Sequence, residues 1–262
     1  MTPRSAPAAL RAHWPEYLIE AWALGMFMIS ASLATLLFEY PHSAWHEAIA
    51  DAGVRRACVG LLMGATAVAL IYSPWGQRSG AHMNPAVTLA FLSLGRIARW
   101  DACFYCVAQA IGGLLGVVLV WSVFGAAFAR PPVQFIVTLP GPAGPAVAWL
   151  AEAVISLGLM GAVLLAGARP ATARYTGLVA GLLVMLFIAF ESPLSGMSIN
   201  PARSLASALP AGRWTAFWIY LSAPVLGMWL AARLPALAPA ARAGCAKLYH
   251  HPERPCIHCG QP

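Results

Sequence analysis

Long apolar stretches with few charges alternate along this chain with short polar loops. A helix needs about 20 such residues to cross about 30 Å of hydrocarbon. A transmembrane β-barrel would alternate apolar and polar side chains, which does not fit a continuous apolar run such as residues 111–128. The pattern therefore predicts an all-α membrane protein with six transmembrane helices, at residues 17–38, 57–72, 102–127, 146–167, 175–190 and 214–232.

Two further apolar stretches, residues 81–94 and 194–209, are too short to cross a bilayer. Each is interrupted by Asn-Pro near its start. Backbone that ends inside the membrane depth is tolerated only where protein or a water-filled cavity surrounds it. We interpret both stretches as re-entrant half-helices.

The two halves of the chain repeat each other at matched places. Glu20-Ala21 in the first span matches Glu152-Ala153 in the fourth, and the segment SGAHMNPA at 79–86 matches SGMSINPA at 195–202. Each half holds three spans, so the second half enters the membrane from the opposite side and the repeat is inverted. We therefore expect the half-helices to meet near the middle of the membrane, and the functional site to lie there.

The pattern predicts one channel domain, residues 16–235, built of inverted halves at about 16–128 and 146–235. A tail of residues 1–15 precedes it and a Cys/His-rich tail of residues 236–262 follows. No cleavable signal peptide is expected. Eleven of the 16 lysines and arginines fall on the side of the two termini, which predicts cytoplasmic termini in a multi-pass protein of the plasma (inner) membrane.

Composition narrows the class of protein. With 60% hydrophobic and 10% charged residues and a mean hydropathy of +0.70, the chain is too apolar for a soluble domain. The basic residues behind the net charge of +7 are scattered over short loops and form no basic face, so we expect membrane lipids rather than nucleic acid as partners. The spans contain no nucleophile and base pair and no chelating cluster, so an enzyme is not expected.

The two Asn-Pro-Ala triplets, Asn84-Pro85-Ala86 and Asn200-Pro201-Ala202, have the chemistry of helix starts. Asn suits the N-cap, Pro suits the first helical position, and Ala is small enough for the two caps to touch. Two helix N-termini that face each other carry partial positive charge, which repels cations and protons. The two side-chain amides then donate hydrogen bonds to the oxygen of a passing molecule.

These residues resemble the major intrinsic proteins, the family of aquaporins and aquaglyceroporins, and the chain is closer to aquaporins. The likeness covers about residues 15–235 and rests on SGAHMNPAVTL at 79–89, on GMSINPARS at 196–204 and on Gln109. It implies a passive channel for water, with glycerol or other small neutral solutes as further cargo. It also implies one pore per protomer, usually a homotetramer, and no required cofactor.

The resemblance assigns roles to further positions. Arg203 matches the arginine of the family's constriction; an arginine that snorkels to the membrane surface is the alternative. The other constriction positions fall on Ile188, on Met197 and, in the second span, on Gly64 or Met63. The polar residues within the spans are predicted to brace the re-entrant loops, with a proton relay as the competing interpretation of the two glutamates: Glu20, Glu152 and Gln109.

Two sets of positions disagree on the solute. The apolar Ile188 stands where strict water channels of the family usually have His, which favours a wider filter. Ser204, Ala208 and Phe217-Trp218 are similar to the residues of water channels rather than glycerol channels. Together they predict water permeation with secondary glycerol flux.

The C-terminal tail holds a second candidate chemistry. Cys256-x-x-Cys259, with Cys245 and His250, supplies the ligand types of a tetrahedral zinc site, although a full zinc-finger spacing is absent. The alternative is a disordered tail with free thiols. His251 and His258 lie in the same tail.

A secondary transporter is the alternative function, because inverted repeats and broken helices also occur in transporters. Transporters couple to ions through charged ligands near the middle of the membrane. Here Glu20 and Glu152 are the candidates for such ligands, and the half-helix caps are positive.

Overall fold

The computed structural model describes residues 5–237, 244–250 and 256–259. Helices and connecting turns make up these residues, with no strand among them. The eight main helices are α1 Ala6–Glu39, α2 Ala52–Tyr72, α3 Pro85–Ser93, α4 Arg99–Phe124, α5 Pro145–Gly167, α6 Thr176–Phe190, α7 Pro201–Ala211 and α8 Trp218–Arg233. Short helical turns lie at Ala44–Ala48, Pro74–Ser79, Ala126–Ala129, Gln134–Ile136, Pro170–Ala173, Ser192–Ser195 and Pro235–Leu237. The predicted all-α class with two half-helices, α3 and α7, is confirmed.

Four helices, α1, α2, α4 and α5, are long and apolar enough to cross a membrane. The remaining two predicted spans form shorter helices, with 15 residues in α6 and 16 in α8. The predicted sixth span begins at residue 214, but α8 begins only at Trp218 because residues 215–217 form a turn. The protein is an integral, multi-pass membrane protein.

The first helix begins earlier than the sequence pattern predicts. Residues 6–15 of the predicted N-terminal tail continue α1, with a kink at His13. Pro15 lacks an amide proton and cannot complete the helical ladder, which accounts for the kink. Beyond the kink, Tyr17 donates a 2.6 Å hydrogen bond to Asp101 at the start of α4.

The inverted repeat is visible in how the helices cross. α1 packs on α4 and α5 packs on α8. A Cβ built on Gly112 would lie 1.9 Å from the Ala21 carbonyl oxygen, and one built on Gly227 would lie 2.2 Å from that of Ala153. Only glycine allows backbones to approach so closely, so the same crossing occurs in both halves.

Both ends of the described chain lie on one side of the molecule, which we call the termini side. Glu16 near the start of α1 forms a 2.8 Å ion pair with Arg78. Lys247 of the C-terminal tail donates to the Gln77 carbonyl oxygen at 2.9 Å. The loop 125–144, which joins the far end of α4 to α5, lies on the opposite side.

Candidate functional site

The two half-helices begin at asparagines that cap them in the same way. The Asn84 side-chain oxygen accepts from the Ala86 amide at 2.8 Å, and that of Asn200 accepts from Ala202 at 3.1 Å and from Arg203 at 3.2 Å. Each cap satisfies amides that a helix start leaves without partners. The proline that follows each asparagine opens its helix, at Pro85 and at Pro201.

The caps also bond across the repeat. Asn84 Nδ2 donates to the Ile199 carbonyl oxygen, and Asn200 Nδ2 donates to that of Met83, both at 2.7 Å. A side-chain amide has two N–H donors. One donor of each asparagine therefore ties the halves together, and the second remains for a molecule in the cavity that both residues line.

Two buried glutamates hold the loops that lead into the half-helices. Glu20 accepts from Ser79 Oγ and from the amides of His82 and Met83 at 2.7 to 3.1 Å. Glu152 accepts from Ser195 Oγ and from the amides of Ser198 and Ile199 at 2.6 to 2.8 Å in the second half.

The braced loops are strained. Met83 and Ile199 both have left-handed backbone conformations, with φ of 51° and 47°. Such a conformation costs a residue with a side chain about 1–3 kcal/mol. Each of these two amides donates to a glutamate, so the carboxylates hold the turn that aims the adjacent asparagine.

Two tyrosines complete the loop supports, and sequence reasoning missed them. Tyr105 donates to the Ser79 carbonyl oxygen at 2.7 Å, and Tyr220 donates to that of Ser195 at 2.6 Å. Each lies seven residues before the glycine of the α1–α4 or α5–α8 crossing. That shared spacing is the signal in the sequence that could have revealed them.

The other side-chain hydrogen bonds near the re-entrant loops differ between the two halves of the chain. Gln109 donates to Glu20 at 2.8 Å and to Thr88 at 3.3 Å. In the second half Thr138 Oγ1 lies 2.7 Å from Ser204 Oγ, which also contacts Ser198. His82 has both ring nitrogens engaged, one with Thr88 and one with the Ala246 carbonyl oxygen.

A cavity of about 410 Å³ runs past the two asparagines. Its polar wall includes Asn84, Asn200, Arg203, His82 and Ser198. Its apolar wall includes Phe27, Val59, Met63, Val87, Val184, Ile188, Met197 and Leu248. A mostly apolar cavity with a few hydrogen-bond donors beside the two asparagines suits small uncharged molecules that carry an oxygen acceptor.

Comparison with known proteins identifies the family that has this architecture. The family described as major intrinsic protein matches residues 10–234. The chain belongs to the major intrinsic protein family. Aquaporin NIP1-4 of Oryza sativa subsp. japonica is 37% identical over 170 residues, which cover 64% of this chain and 60% of that protein. Aquaporin NIP1-2 of Arabidopsis thaliana is 32% identical over 205 residues, which cover 77% of this chain and 66% of that protein.

A solved structure has the same fold. The aquaglyceroporin from Plasmodium falciparum is similar with a TM-score of 0.69 and 18% identity, over 87% of this chain and 99% of that one. This likeness concerns the fold alone. The matched segments span less than two thirds of the two curated relatives.

Of the two alternatives for the second span of this major intrinsic protein, Met63 lines the cavity and Gly64 does not. A Cβ on Gly64 would lie 2.6 Å from the Gly181 carbonyl oxygen, so Gly64 is a contact between α2 and α6 and its prediction as a wall residue is wrong. A Cβ on Gly60 would lie 3.5 Å from Ile188 Cβ. Val59, beside Gly60, lines the cavity as Met63 does, and sequence reasoning missed it.

The contact between α2 and α6 gives a stability prediction. We expect Gly64→Ala to lower the thermal midpoint of the detergent-solubilised protein, because its methyl group forces the helices apart at a typical cost of about 1–3 kcal/mol. Gly158→Ala is the matched control, since its Cβ would meet nothing closer than 3.9 Å. Equal midpoints for the two variants would contradict the close α2–α6 contact.

Arg203 follows the second cap and points its guanidinium into the cavity wall. Its Nη1 donates to the Ile136 carbonyl oxygen at 2.9 Å, on the side opposite the termini. The matching residue of the first half is Val87, which also lines the cavity. The cavity is therefore asymmetric, with a fixed positive charge toward one mouth.

The tail residues with metal-ligand chemistry come together. The ligand atoms of Cys245, His250, Cys256 and Cys259 all lie within 4.8 Å of one another. His258 lies beside His82, with ring centroids 5.9 Å apart. His251 lies outside the described residues.

Proposed function

We propose that this protein is a passive channel that passes water and small neutral solutes and excludes ions and protons. The observation that carries the proposal is the pair of asparagine caps, bonded to each other's loops at 2.7 Å and lining one cavity. The partial positive charges of two helix starts repel cations at that point. A water whose oxygen accepts from both amides has no lone pair aligned to relay a proton.

A secondary transporter is less well supported. Ion coupling needs a charged ligand that is accessible from the pathway. Glu20 and Glu152 are 0% exposed, and their oxygens accept bonds from the re-entrant loops. We assign them to bracing, together with Gln109, and propose that the protein has no enzymatic activity.

We propose the filter at the level of Arg203, with apolar members at Ile188, Met197, Met63 and Val59. We also propose that the protein forms a homotetramer in the plasma membrane, with both termini of each chain in the cytoplasm. The family membership and the distribution of lysine and arginine support this arrangement.

Osmotic shrinkage of proteoliposomes tests the channel. With the full chain in chelator-containing buffer, we expect sucrose to drive shrinkage much faster than in empty liposomes. Equal rates in the two kinds of vesicle would overturn the proposal.

Ile188→His tests the filter. Wild type is expected to pass glycerol measurably but more slowly than water, because an apolar wall gives polyol hydroxyls few partners, at about 1–3 kcal/mol per unsatisfied group. The imidazole is polar and extends further from the backbone than the isoleucine side chain, which narrows the passage, so we expect the variant to lose more glycerol flux than water flux. Leu178→His, on an exposed position of the same helix, is the control. Wild-type glycerol uptake equal to that of empty liposomes would contradict the wide filter.

A further inference from the structure

The C-terminal tail folds back over the termini side of the pore. The Leu248 amide donates to the Gly80 carbonyl oxygen at 3.1 Å, and Lys247 Nζ donates to that of Gln77 at 2.9 Å. His82 Nε2 donates to the Ala246 carbonyl oxygen. Residues 244–250, which we call the strap, therefore lie against the loop that leads into the first half-helix.

Leu248 stands at the end of the central cavity. It lines that cavity and also a second one, of about 320 Å³, between the strap and the termini-side ends of α5 and α6. Its side chain is buried, with 7% of the residue exposed. A molecule that moves between the two cavities therefore has to pass an apolar side chain, and hydrophobic constrictions close pores by excluding water.

Four side chains, two in the strap and two in residues 256–259, form a compact set of metal ligands. Cys245 Sγ lies 3.3 Å from Cys256 Sγ, and His250 Nε2 lies 3.2 Å from Cys259 Sγ. Zinc–sulfur bonds of about 2.3 Å at tetrahedral angles place ligand atoms about 3.8 Å apart. Thiolate and imidazole ligands select Zn²⁺ over Mg²⁺ and Ca²⁺, which prefer oxygen.

The ligand cluster is linked to the pore mouth at two points. Cys245 and His250 belong to the strap itself. His258 lies between the ligands Cys256 and Cys259 in the sequence. Its ring stacks on the His82 ring with an angle of 11° between the two ring planes. Its Nε2 atom lies 3.2 Å from the Ser79 carbonyl oxygen. A metal that joins the two segments therefore holds both against the loop before Asn84.

We propose that Cys245, His250, Cys256 and Cys259 bind one Zn²⁺, and that the bound metal holds the strap on the pore mouth with Leu248 as its plug. Metal removal releases the strap and opens the passage. This inference rests on the proposed channel function, since a plug needs a pore. It makes the conduction of this channel respond to the zinc level on the termini side.

Metal binding and docking can be measured without flux. Full-length protein, freed of metal by chelator under reducing conditions, is titrated with Zn²⁺, and trypsin cleavage after Lys247 is followed. We expect one zinc per chain and loss of that cleavage in zinc, because Lys247 is only 7% exposed in the docked strap. Cys256→Ser/Cys259→Ser should abolish both effects. Cys103→Ser, at an exposed thiol outside the cluster, should preserve them.

Flux then tests the plug. In proteoliposomes with Zn²⁺ on both faces, we expect wild type to lose most of the water permeability that it has in chelator. Leu248→Ala should still bind one zinc but keep its permeability in zinc, because the hydrogen bonds that dock the strap use its backbone and Lys247 Nζ and not the Leu248 side chain, which is the plug. Cys103→Ser should respond to zinc as wild type does.

The outcomes separate the two proposals. Absence of stoichiometric zinc binding, unchanged cleavage after Lys247, or zinc-loaded wild type as permeable as chelated wild type would each overturn the strap proposal. No permeability in chelated wild type and in Leu248→Ala would instead overturn the channel function. If the channel function fails in this way, trypsin cleavage still tests whether zinc docks the strap. Cleavage after Lys247 that does not depend on zinc would overturn the docking, and protection of Lys247 by zinc would support it.

Discussion

Arg203→Val is expected to raise glycerol flux roughly tenfold, the effect of lowering a barrier by about 1.4 kcal/mol, while water flux changes little. The guanidinium lines the cavity and is fixed by its bond to the Ile136 carbonyl oxygen. Valine leaves a wider opening and removes the charge that repels cations. The matching position of the first half-helix, α3, is Val87, so we expect α7 to accept valine at this position. Stopped-flow light scattering with sucrose and glycerol gradients measures both fluxes.

Arg213→Val is the matched control for this experiment. Arg213 lies on the same side of the molecule, is exposed, and bonds to Gln134 rather than lining the cavity. We expect its solute profile to equal that of wild type. If Arg203→Val also leaves the profile unchanged with an unaltered thermal midpoint, the filter does not lie at Arg203.

Glu152→Leu is expected to destabilise the protein by about 3 kcal/mol or more. Leucine removes the acceptor for the Ser198 and Ile199 amides and for Ser195 Oγ, and a buried unsatisfied donor costs about 1–3 kcal/mol. The left-handed turn at Ile199 then loses the hydrogen bond from its amide to the carboxylate that stabilises it. Thermal unfolding in detergent, followed by fluorescence-detected size exclusion, should show a clearly lower midpoint.

Two further variants make the glutamate experiment specific. Glu152→Gln keeps the size and one acceptor oxygen, so its midpoint should fall between those of wild type and Glu152→Leu. Glu47→Leu, at an exposed position on Ala44–Ala48, should leave the midpoint unchanged. A Glu152→Leu protein as stable as Glu47→Leu would show that the carboxylate does not brace the loop.

The sequence was informative wherever polar residues interrupt apolar spans. Glu20 and Glu152 are conspicuous there because a carboxylate in a membrane needs partners, and the repeat of Asn-Pro-Ala predicted the two half-helices. The all-α class and the family were predicted from these residues and are confirmed. Repetition made each of these signals specific.

The features that the sequence did not predict depend on three-dimensional contacts or on the backbone. Whether Met63 or Gly64 lines the cavity follows from the register of α2 on α6, which the glycines at the crossing determine in three dimensions. The early start of α1 was missed because residues 1–15 are polar and rich in proline, which is untypical of a membrane span, whereas the helix runs through Pro15 with a kink at His13. The docking of the strap uses mainly backbone carbonyls, which leave no side-chain pattern.

Paired recordings on one preparation of proteoliposomes test the central claim most directly. Full-length protein in chelator is exposed first to an osmotic step and then to proton and sodium gradients under an applied potential. The facing helix starts at Asn84 and Asn200 predict rapid water flow with proton and sodium currents no larger than those of empty liposomes. Proton or sodium current that rises with protein density in the same vesicles would contradict the account.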